Sequence, residues 1–457
     1  MSKLPNGWAD VMLAELASHR SGNSKLIKGK LSSEPTASFP YKGYSASGQD
    51  VWLDTYEYEG DAIIISAVGA RCGKAFSASG TWSAVANTHI VWPKPQIINH
   101  RLFWYLINDE RFWVRGGSAQ PFVKVPKTFE RMFKLPPLKE QERITDKLDA
   151  VRARVDACRD RLDRIPAILK RFRQSVLAAA TSGKLTADWR ELNHQPVGQA
   201  SNEVLQRLIL RREMIPDNKK FKEPSACDLT YWNIDIPSTW SVESVSAYAE
   251  CLDHLRIPVT RNKRANTQGL YPYYGANGQV DMVDEYLFDD ELVLVTEDET
   301  FYGREKPIAY RTSGRCWVNN HAHVLRAGDR FRADYLCFAL MYYNVLPWLT
   351  GTTGRAKLTQ GVLNSLPIAV PPQTELLEIV RRVESLFSYA DRLETRYTAA
   401  RTQVEKLTPA THAKAFRGEL VPQDTNDEPA SVLLERLKAK RSEQVLTKPK
   451  RNSKVTA

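Results

Sequence analysis

At 457 residues the chain is too long for one hydrophobic core, and length alone points to about three domains. Its 64 lysines and arginines against 53 aspartates and glutamates leave a formal charge of +11, which favours a polyanionic partner such as DNA, RNA or a ribosome. The six scattered cysteines have no CxxC pair, no apolar run approaches about eighteen residues, and MSKLPNGWADVML lacks a signal-peptide pattern. A disulfide or zinc framework and a membrane span are thereby excluded, and a soluble, cytoplasmic chain with reduced, mostly buried thiols is expected.

Along the chain, each predicted element occurs twice. Leu4-Pro5-Asn6-Gly7-Trp8 opens the first half and Ile236-Pro237-Ser238-Thr239-Trp240 the second. A tyrosine-rich turn follows, Phe39-Pro40-Tyr41 through Gly48-Gln49 in one half and Tyr271-Pro272-Tyr273-Tyr274 through Gly278-Gln279 in the other. A buried strand comes next, Ala62-Ile63-Ile64-Ile65 beside Leu292-Val293-Leu294-Val295, and then a strand bearing histidine, Asn87 to Val91 beside His321 to Leu325. An apolar helix is predicted at Leu102–Leu106 and at Leu336–Leu340. Each half then has a glycine-rich loop, Gly116–Gln120 and Gly351–Arg355, where positive φ and close backbone approach are tolerated.

Double prolines, Pro136-Pro137 and Pro371-Pro372, close the two mixed domains, because proline lacks a donor and fixes φ. Long helices follow. In the first, Ile144, Leu148, Val151, Val155, Cys158, Leu162, Ile165, Leu169, Phe172 and Val176 alternate in steps of four and three. The second repeats this 235 residues later, with Ile379, Val383, Leu386, Ala390, Leu393, Tyr397, Ala400, Val404 and Leu407. Such a heptad seam requires a partner helix, and each copy can serve the other. A seam of this length spans roughly 50 Å at about 1.5 Å per residue. Pro166 and Pro409 lie off the seam and predict local kinks. Glycine stops, Gly183 and Gly418, end the helices, and short amphipathic helices follow at Val204–Leu208 and Leu433–Leu437. The boundaries are therefore 1–137 and 233–369 for the two domains, 138–184 and 370–420 for the long helices, and 185–232 for a linker. Residues 421–457 form a short helix and a basic, disordered tail.

No catalytic constellation emerges. Gly69-Ala70-Arg71-Cys72-Gly73-Lys74 has three residues between its glycines where a phosphate loop has four, and Ala75 stands where Ser or Thr would bind magnesium. It reads better as a hairpin turn. His321 and His323 would share one face of a strand, but a zinc site needs a third protein ligand and none is evident. An Asn/Asp-Pro-Pro-aromatic motif for amino-group methylation is absent. The arginines and lysines of the first helix, Arg152, Arg154, Arg159, Arg161, Arg164, Lys170, Arg171 and Arg173, form either a solvated face or a track for phosphates and partner subunits.

LPPLKEQERI (Leu135–Ile144), IPAILKRFRQSVLAAATSGKLT (Ile165–Thr186), EIVRRVESLFSYADRLE (Glu378–Glu394) and AKAFRGEL (Ala413–Leu420) together resemble the specificity subunits of type I DNA restriction-modification systems, most like the enteric A-type group. The second copy departs from the family pattern at Pro371, reading PPQTELLEIV. The resemblance implies an α+β architecture: two similar α/β target recognition domains in pseudo-two-fold arrangement, joined by two long helices that form an antiparallel coiled coil. It implies a non-catalytic subunit that reads a bipartite DNA target with a fixed gap. Two modification subunits would bring S-adenosylmethionine and methylate adenine, and restriction subunits would use ATP and Mg2+ to cut. This chain would bind no cofactor or metal itself and no membrane. A self-sufficient methyltransferase or nuclease, and a coiled-coil adaptor that never meets DNA, are the alternatives.

For DNA contact, basic, amide and aromatic residues in predicted turns are the candidates, since arginine and lysine suit guanine edges and phosphates and amides suit adenine. In the first domain these are Lys25, Lys28, Lys30, Tyr41, Lys42, Gln49, Arg71, Lys74, Gln120 and Lys124. In the second they are Arg261, Lys263, Arg264, Tyr273, Tyr274, Asn277, Gln279, Arg304, Arg355 and Lys357.

Overall fold

The computed structural model describes residues 4–216, 220–259, 269–298, 301–349 and 356–446, with side chains through residue 440. Two compact units divide the chain: Met1–Leu162 with Ala399–Ala457, and Asp163–Thr398.

Unit 1 begins with β1 (Ala9–Met12), β2 (Ala17–Ser21), β3 (Tyr41–Ser45), β4 (Gly48–Leu53), β5 (Tyr58–Glu59), β6 (Ala62–Ser66), β7 (Ala75–Ala78), β8 (Thr81–Ala84) and β9 (Thr88–Pro93). Helix α1 (His100–Ile107), β10 (Arg115–Gly116), β11 (Phe122–Val123), β12 (Met132–Leu135) and α2 (Leu138–Leu162) complete this stretch. Two four-stranded sheets form, ordered β2-β9-β6-β7 and β4-β3-β8-β5. Every residue of β6 is buried, with Ile63 and Ile65 in one apolar cluster and Ala62 and Ile64 in another. A strand covered on both faces has no solvent side to alternate with, which is why its sequence is a continuous apolar run. β1 pairs antiparallel with β12, so the chain enters and leaves the domain side by side.

Unit 2 repeats this plan. It contains α3 (Ile165–Thr181), α4 (Gln199–Glu213), β13 (Ser241–Ser244), β14 (Glu250–Cys251), β15 (Tyr271–Gly275), β16 (Gly278–Val283), β17 (Phe288–Thr296), β18 (Ala309–Val318), β19 (Ala322–Arg326), α5 (Arg330–Leu340) and β20 (Pro367–Val370). One six-stranded sheet ordered β14-β19-β17-β18-β15-β16 replaces the two sheets of unit 1, while β13 and β20 again pair at the domain's two ends. The difference is local. The unbroken β18 corresponds to β7 and β8, which Ser79 and Gly80 separate by a turn with Gly80 at φ 74°, and β17 corresponds to β5 and β6. The tyrosine hairpins match as well. Tyr41 faces Leu53 and Tyr271 faces Val283, each with a bulge two residues on. By strand register, Tyr41 is therefore the counterpart of Tyr271, two places from the Pro-Tyr match that the sequence suggests.

The long helices are α2 and α3 on one side of the repeat and α6 (Gln373–Arg417) on the other; α7 (Ala430–Leu446) follows. A turn at Asp163 and Arg164 interrupts the helix after Leu162, with Arg164 still in the αR region, and α3 restarts with Pro166 in its first turn, where a missing N–H breaks no intrahelical bond. The predicted first helix is thus two helices, whereas α6 continues through Pro409. Each unit holds one antiparallel helix pair. In unit 1, Ile144 and Leu148 of α2 join Ala415 of α6 in one apolar cluster, and Arg143 pairs with Asp427. In unit 2, Arg173 of α3 bonds Asp391 and Glu394 of α6, while Asp188, beyond α3, pairs with Arg382 and Thr186 bonds Glu375.

The seam is buried in part. Ile144, Leu148, Val155, Leu169, Val176, Ile379, Val383 and Ala390 are buried, but Cys158 is exposed and Leu407 is 48% exposed. Ile144 and Leu148 share an apolar cluster with Trp8, Leu102 and Tyr105, and Val176, Ile379 and Val383 join the unit 2 core. Three thiols, Cys72, Cys316 and Cys337, are buried, and burial pushes Cys337 up to about 12.

The start of each long helix is fixed by the same contact. Trp8 Nε1 donates to Glu140 at 3.0 Å, and Trp240 Nε1 donates to Glu375 at 2.9 Å, with both carboxylates buried. Gln141 then accepts from the Asn99 amide and donates to the Ile97 and Pro136 carbonyls, while the second copy has buried Leu376 there. The helix-ending glycines pack reciprocally. A Cβ on Gly418 (φ +76°) would meet Pro5 at 2.7 Å, and one on Gly183 (φ +75°) would meet Pro237 at 2.5 Å. Short helices seal the arrangement: α4 buries Ala200 and Val204 in the unit 2 core, and Ala430 of α7 lies in the unit 1 core.

Candidate nucleic-acid interface

In unit 1, three loops meet at one end of the sheets. The first is the β3–β4 hairpin tip, where Gly48 takes φ 120° because a Cβ would lie 3.1 Å from the Phe76 ring. The second joins β6 to β7 and contains Gly69 to Lys74, so this segment is a hairpin loop that leads into a strand, whereas a phosphate loop leads into a helix. The third is the β10–β11 hairpin carrying the glycine-rich loop. Backbone bonds join the second and third: Gly69 N donates to Pro121 O at 2.8 Å and Val123 N to Ala67 O at 2.9 Å. Tyr44, Gln49, Lys74, Phe76, Trp104 and Arg152 line one hollow of about 480 Å³ between the hairpin tip, the strands and α2. The Arg152 guanidinium stacks 5.0 Å from the Trp104 ring and Lys74 Nζ lies 5.6 Å from that of Phe76. Cations held flat on aromatic rings beside exposed amides can meet phosphates and base edges together.

Among the described residues, unit 2 repeats the hairpin tip and the bridge at the base of the other two loops with different residues. The isolated bridge Asp298–Lys357 stands where unit 1 has Val68–Phe122. In the β17–β18 loop the Arg304 guanidinium donates to Asn277 Oδ1 at 2.7 Å and Pro307 O at 2.9 Å, tying that loop to the β15–β16 tip. By register the residue matching Lys74 is Ile308, since Ser66 N donates to Lys74 O as Thr296 N does to Ile308 O.

The sequence-predicted residues divide accordingly. Lys25, Lys30, Lys42, Gln49, Arg71, Gln120 and Lys124 are exposed on unit 1. Lys28 is paired with Asp50, and half-buried Tyr41 packs on Tyr56 at 4.9 Å. On unit 2, Gln279 and Lys357 are exposed, Asn277 is exposed but accepts from Arg304, and Tyr274 is half-buried beside Tyr310. Tyr273 requires correction: it is 2% exposed and belongs to the core side of β15, so its ring supports the hairpin from below. Arg261, Lys263, Arg264, Arg355 and the loop Gly351–Arg355 lie outside the described residues. On the helices, Arg173 is engaged with Asp391 and Glu394, Lys170 with Glu305 and Arg159 with Asp156, whereas Arg154 and Arg161 point to solvent.

The two histidines also separate. His321 sits in the turn before β19 and is exposed, so the expected shared strand face does not exist. His323 is 1% exposed and lies within ligand distance of Asp253 and Glu297. These two carboxylates are remote in sequence and carried no local signal. His323 Nδ1 meets Asp253 at 2.5 Å and Nε2 meets the Leu358 carbonyl at 2.7 Å. Arg256 bonds Glu297 at 2.7 Å and lies 3.3 Å from Asp253, so the histidine, the arginine and the two carboxylates share one network. Burial alone would raise the Asp253 carboxyl, but the hydrogen bond and charge of His323, the Val324 amide and Arg256 carry it below its ordinary value.

A chain with two homologous loop clusters and two paired long helices is a repeated binding scaffold. The family described as Type I restriction modification DNA specificity domain matches residues 5–167 and 251–400, and the chain belongs to that family. It is 27% identical over 468 residues to the Type I restriction enzyme EcoDI specificity subunit of Escherichia coli, covering 96% of each. It is 32% identical over 330 residues to the StySPI specificity subunit of Salmonella potsdam, covering 67% of this chain and 63% of that one. Among solved structures, the HsdS subunit from Thermoanaerobacter tengcongensis shares the fold at 17% identity and a TM-score of 0.51, covering 92% of this chain and 98% of that one. A chain solved in work on complex assembly and conformational transition of the type I R-M system gives a TM-score of 0.58 at 16% identity, covering 92% and 100%. Among the described residues, no helix is long and apolar enough to cross a membrane.

Proposed function

We propose that the chain is the DNA sequence-specificity subunit of a cytoplasmic type I restriction-modification complex. Each unit presents its loop cluster to one half of a bipartite target, and the paired helices set the gap between the halves. The chain does no chemistry itself. Two modification subunits, carrying S-adenosylmethionine, methylate adenine where it directs them, and restriction subunits cleave with ATP and Mg2+. The observation that supports this reading is the recurrence, on two matched frames, of the same bulged tyrosine hairpin and of the same bridge beside it, with different side chains at the tips. A frame repeated with altered contact residues is suited to reading two different sequences in one register.

Single-molecule methylation mapping of a host expressing this chain with its modification subunits tests the reading. Two half-sites with a fixed gap are expected, and a single contiguous motif overturns it. Matched whole-turn insertions in α2 and α6 are expected to widen the gap and leave both half-sites intact.

A further inference from the structure

We propose that His321 is a specificity-determining residue of unit 2, its Nε2 meeting one base edge in the half-site read by that unit, with Asp298 as the positioning residue that holds the ring. The proposal rests on the DNA-specificity reading above.

His321 lies in the short turn between β18 and β19, anchored on three sides. Asn319 N donates to Tyr274 O at 3.0 Å, His321 N donates to Asn319 Oδ1 at 2.8 Å, and Glu297 N donates to His321 O at 3.1 Å. The turn is thereby fixed to the tyrosine hairpin and to the end of β17, which places His321 in the loop cluster. Its ring is 51% exposed, with Nδ1 2.7 Å from Asp298 Oδ1. The charges facing it are the Asp298 carboxylate and, beyond that, Lys357 Nζ at 3.6 Å from Asp298.

An ionised carboxylate can only accept, so Nδ1 donates to Asp298 and Nε2 turns outward, free in the uncharged tautomer to accept. Among the described residues, no hydrogen bond engages Nε2. His323, two residues on, has both nitrogens engaged in the core. A phosphate arriving at Nε2 would meet the Asp298 charge across the ring, whereas the amino group of adenine or cytosine is neutral and supplies the donor that an acceptor requires. Base edge is therefore favoured over backbone.

The equivalent position in unit 1 is Asn87, whose carbonyl accepts from Ala67 N at 2.9 Å as that of His321 accepts from Glu297. Asn87 takes φ 64°, so the two copies share the backbone tie and differ in side chain and in its direction. A position fixed in frame and free in side chain is one where two half-sites can be distinguished.

The test uses the full chain with its modification subunits and a library of duplexes varied across both half-sites. His321→Ala is expected to lower discrimination at one base pair of one half-site by roughly 10- to 100-fold and to leave the other half-site unchanged. His321→Gln serves as a second variant, and thermal melting of both establishes folding. Asp298→Asn is expected to give a smaller loss at the same base pair. Unchanged discrimination in folded variants, with the wild type still bipartite, overturns the role of His321 alone. A uniform loss over all sequences with a shallower salt dependence marks a phosphate contact and overturns it too. A wild-type complex without a bipartite target removes the underlying DNA reading and this proposal together.

Discussion

The two units agree in their frames and differ at their tips. Trp8 and Trp240 donate to the first-turn carboxylates of α2 and α6, and Pro5 and Pro237 receive the glycines that end the opposite helices. At the tips, Asn87 stands where unit 2 has His321, and just before the strands that follow the second loop, Lys74 stands where unit 2 has Ile308. Frame contacts are buried and mutually dependent, so a change in one disturbs several others. Tip residues face solvent and can change singly without loss of packing.

Replacing Gly116–Lys124 with an unrelated loop of equal length is expected to abolish discrimination in one half-site, on the order of 10³-fold, and to spare the other. Methylation mapping checks this; altered preference in both halves would break the independence of the units. Next in size comes Glu375→Gln. Glu375 also binds half-buried Arg190 and Thr186, so the change leaves a cation poorly compensated and is expected to cost about 3 kcal/mol in denaturant unfolding. Glu140→Gln is expected to cost only about 1 kcal/mol, because Arg143 pairs with Asp427 and a glutamine oxygen can still accept from Trp8.

The same residue gives a pH signature. Burial raises the Glu140 carboxyl above its ordinary value, against the pull of the Trp8 bond and Arg143. A raised folded value means that its contribution is complete below the ordinary value of 4.5 and is lost as pH rises through the raised one. Unfolding curves at a series of pH values should therefore show the cost of Glu140→Gln shrinking as pH rises; a cost that grows would place the carboxyl in a different environment. The smallest effect is expected for Arg173→Ala. Its partners Asp391 and Glu394 are more than half exposed, and a loss below about 1 kcal/mol should be seen by the same measurement.

Much of the frame was legible in the sequence because it is local and repeated. The apolar runs of β6 and β17, the double prolines, the glycine stops and the heptads each reflect a short-range rule, and the duplication supplied each reading twice. The family resemblance rests on those same segments. Legibility failed where burial depends on distant neighbours. Cys158 and Leu407 satisfy the heptad as well as Ile144 does, yet they stay exposed where Ile144 packs with Trp8, Leu102 and Tyr105. Tyr273 shares the composition of a contact loop but falls on the inward side of a bulged strand. The fate of His323 depended on Asp253 and Glu297, which no local pattern connects to it.

The sequence by itself determined the duplication, the element types and the existence of two paired helices, since periodicity and backbone chemistry act within a few residues. Only the tertiary structure decided which residues of the repeat face outward. It buried His323 against Asp253 and left His321 at the loop tip, because exposure is set by what the rest of the fold brings alongside. It likewise joined Gly183 to Pro237 and Gly418 to Pro5, long-range contacts that no spacing encodes.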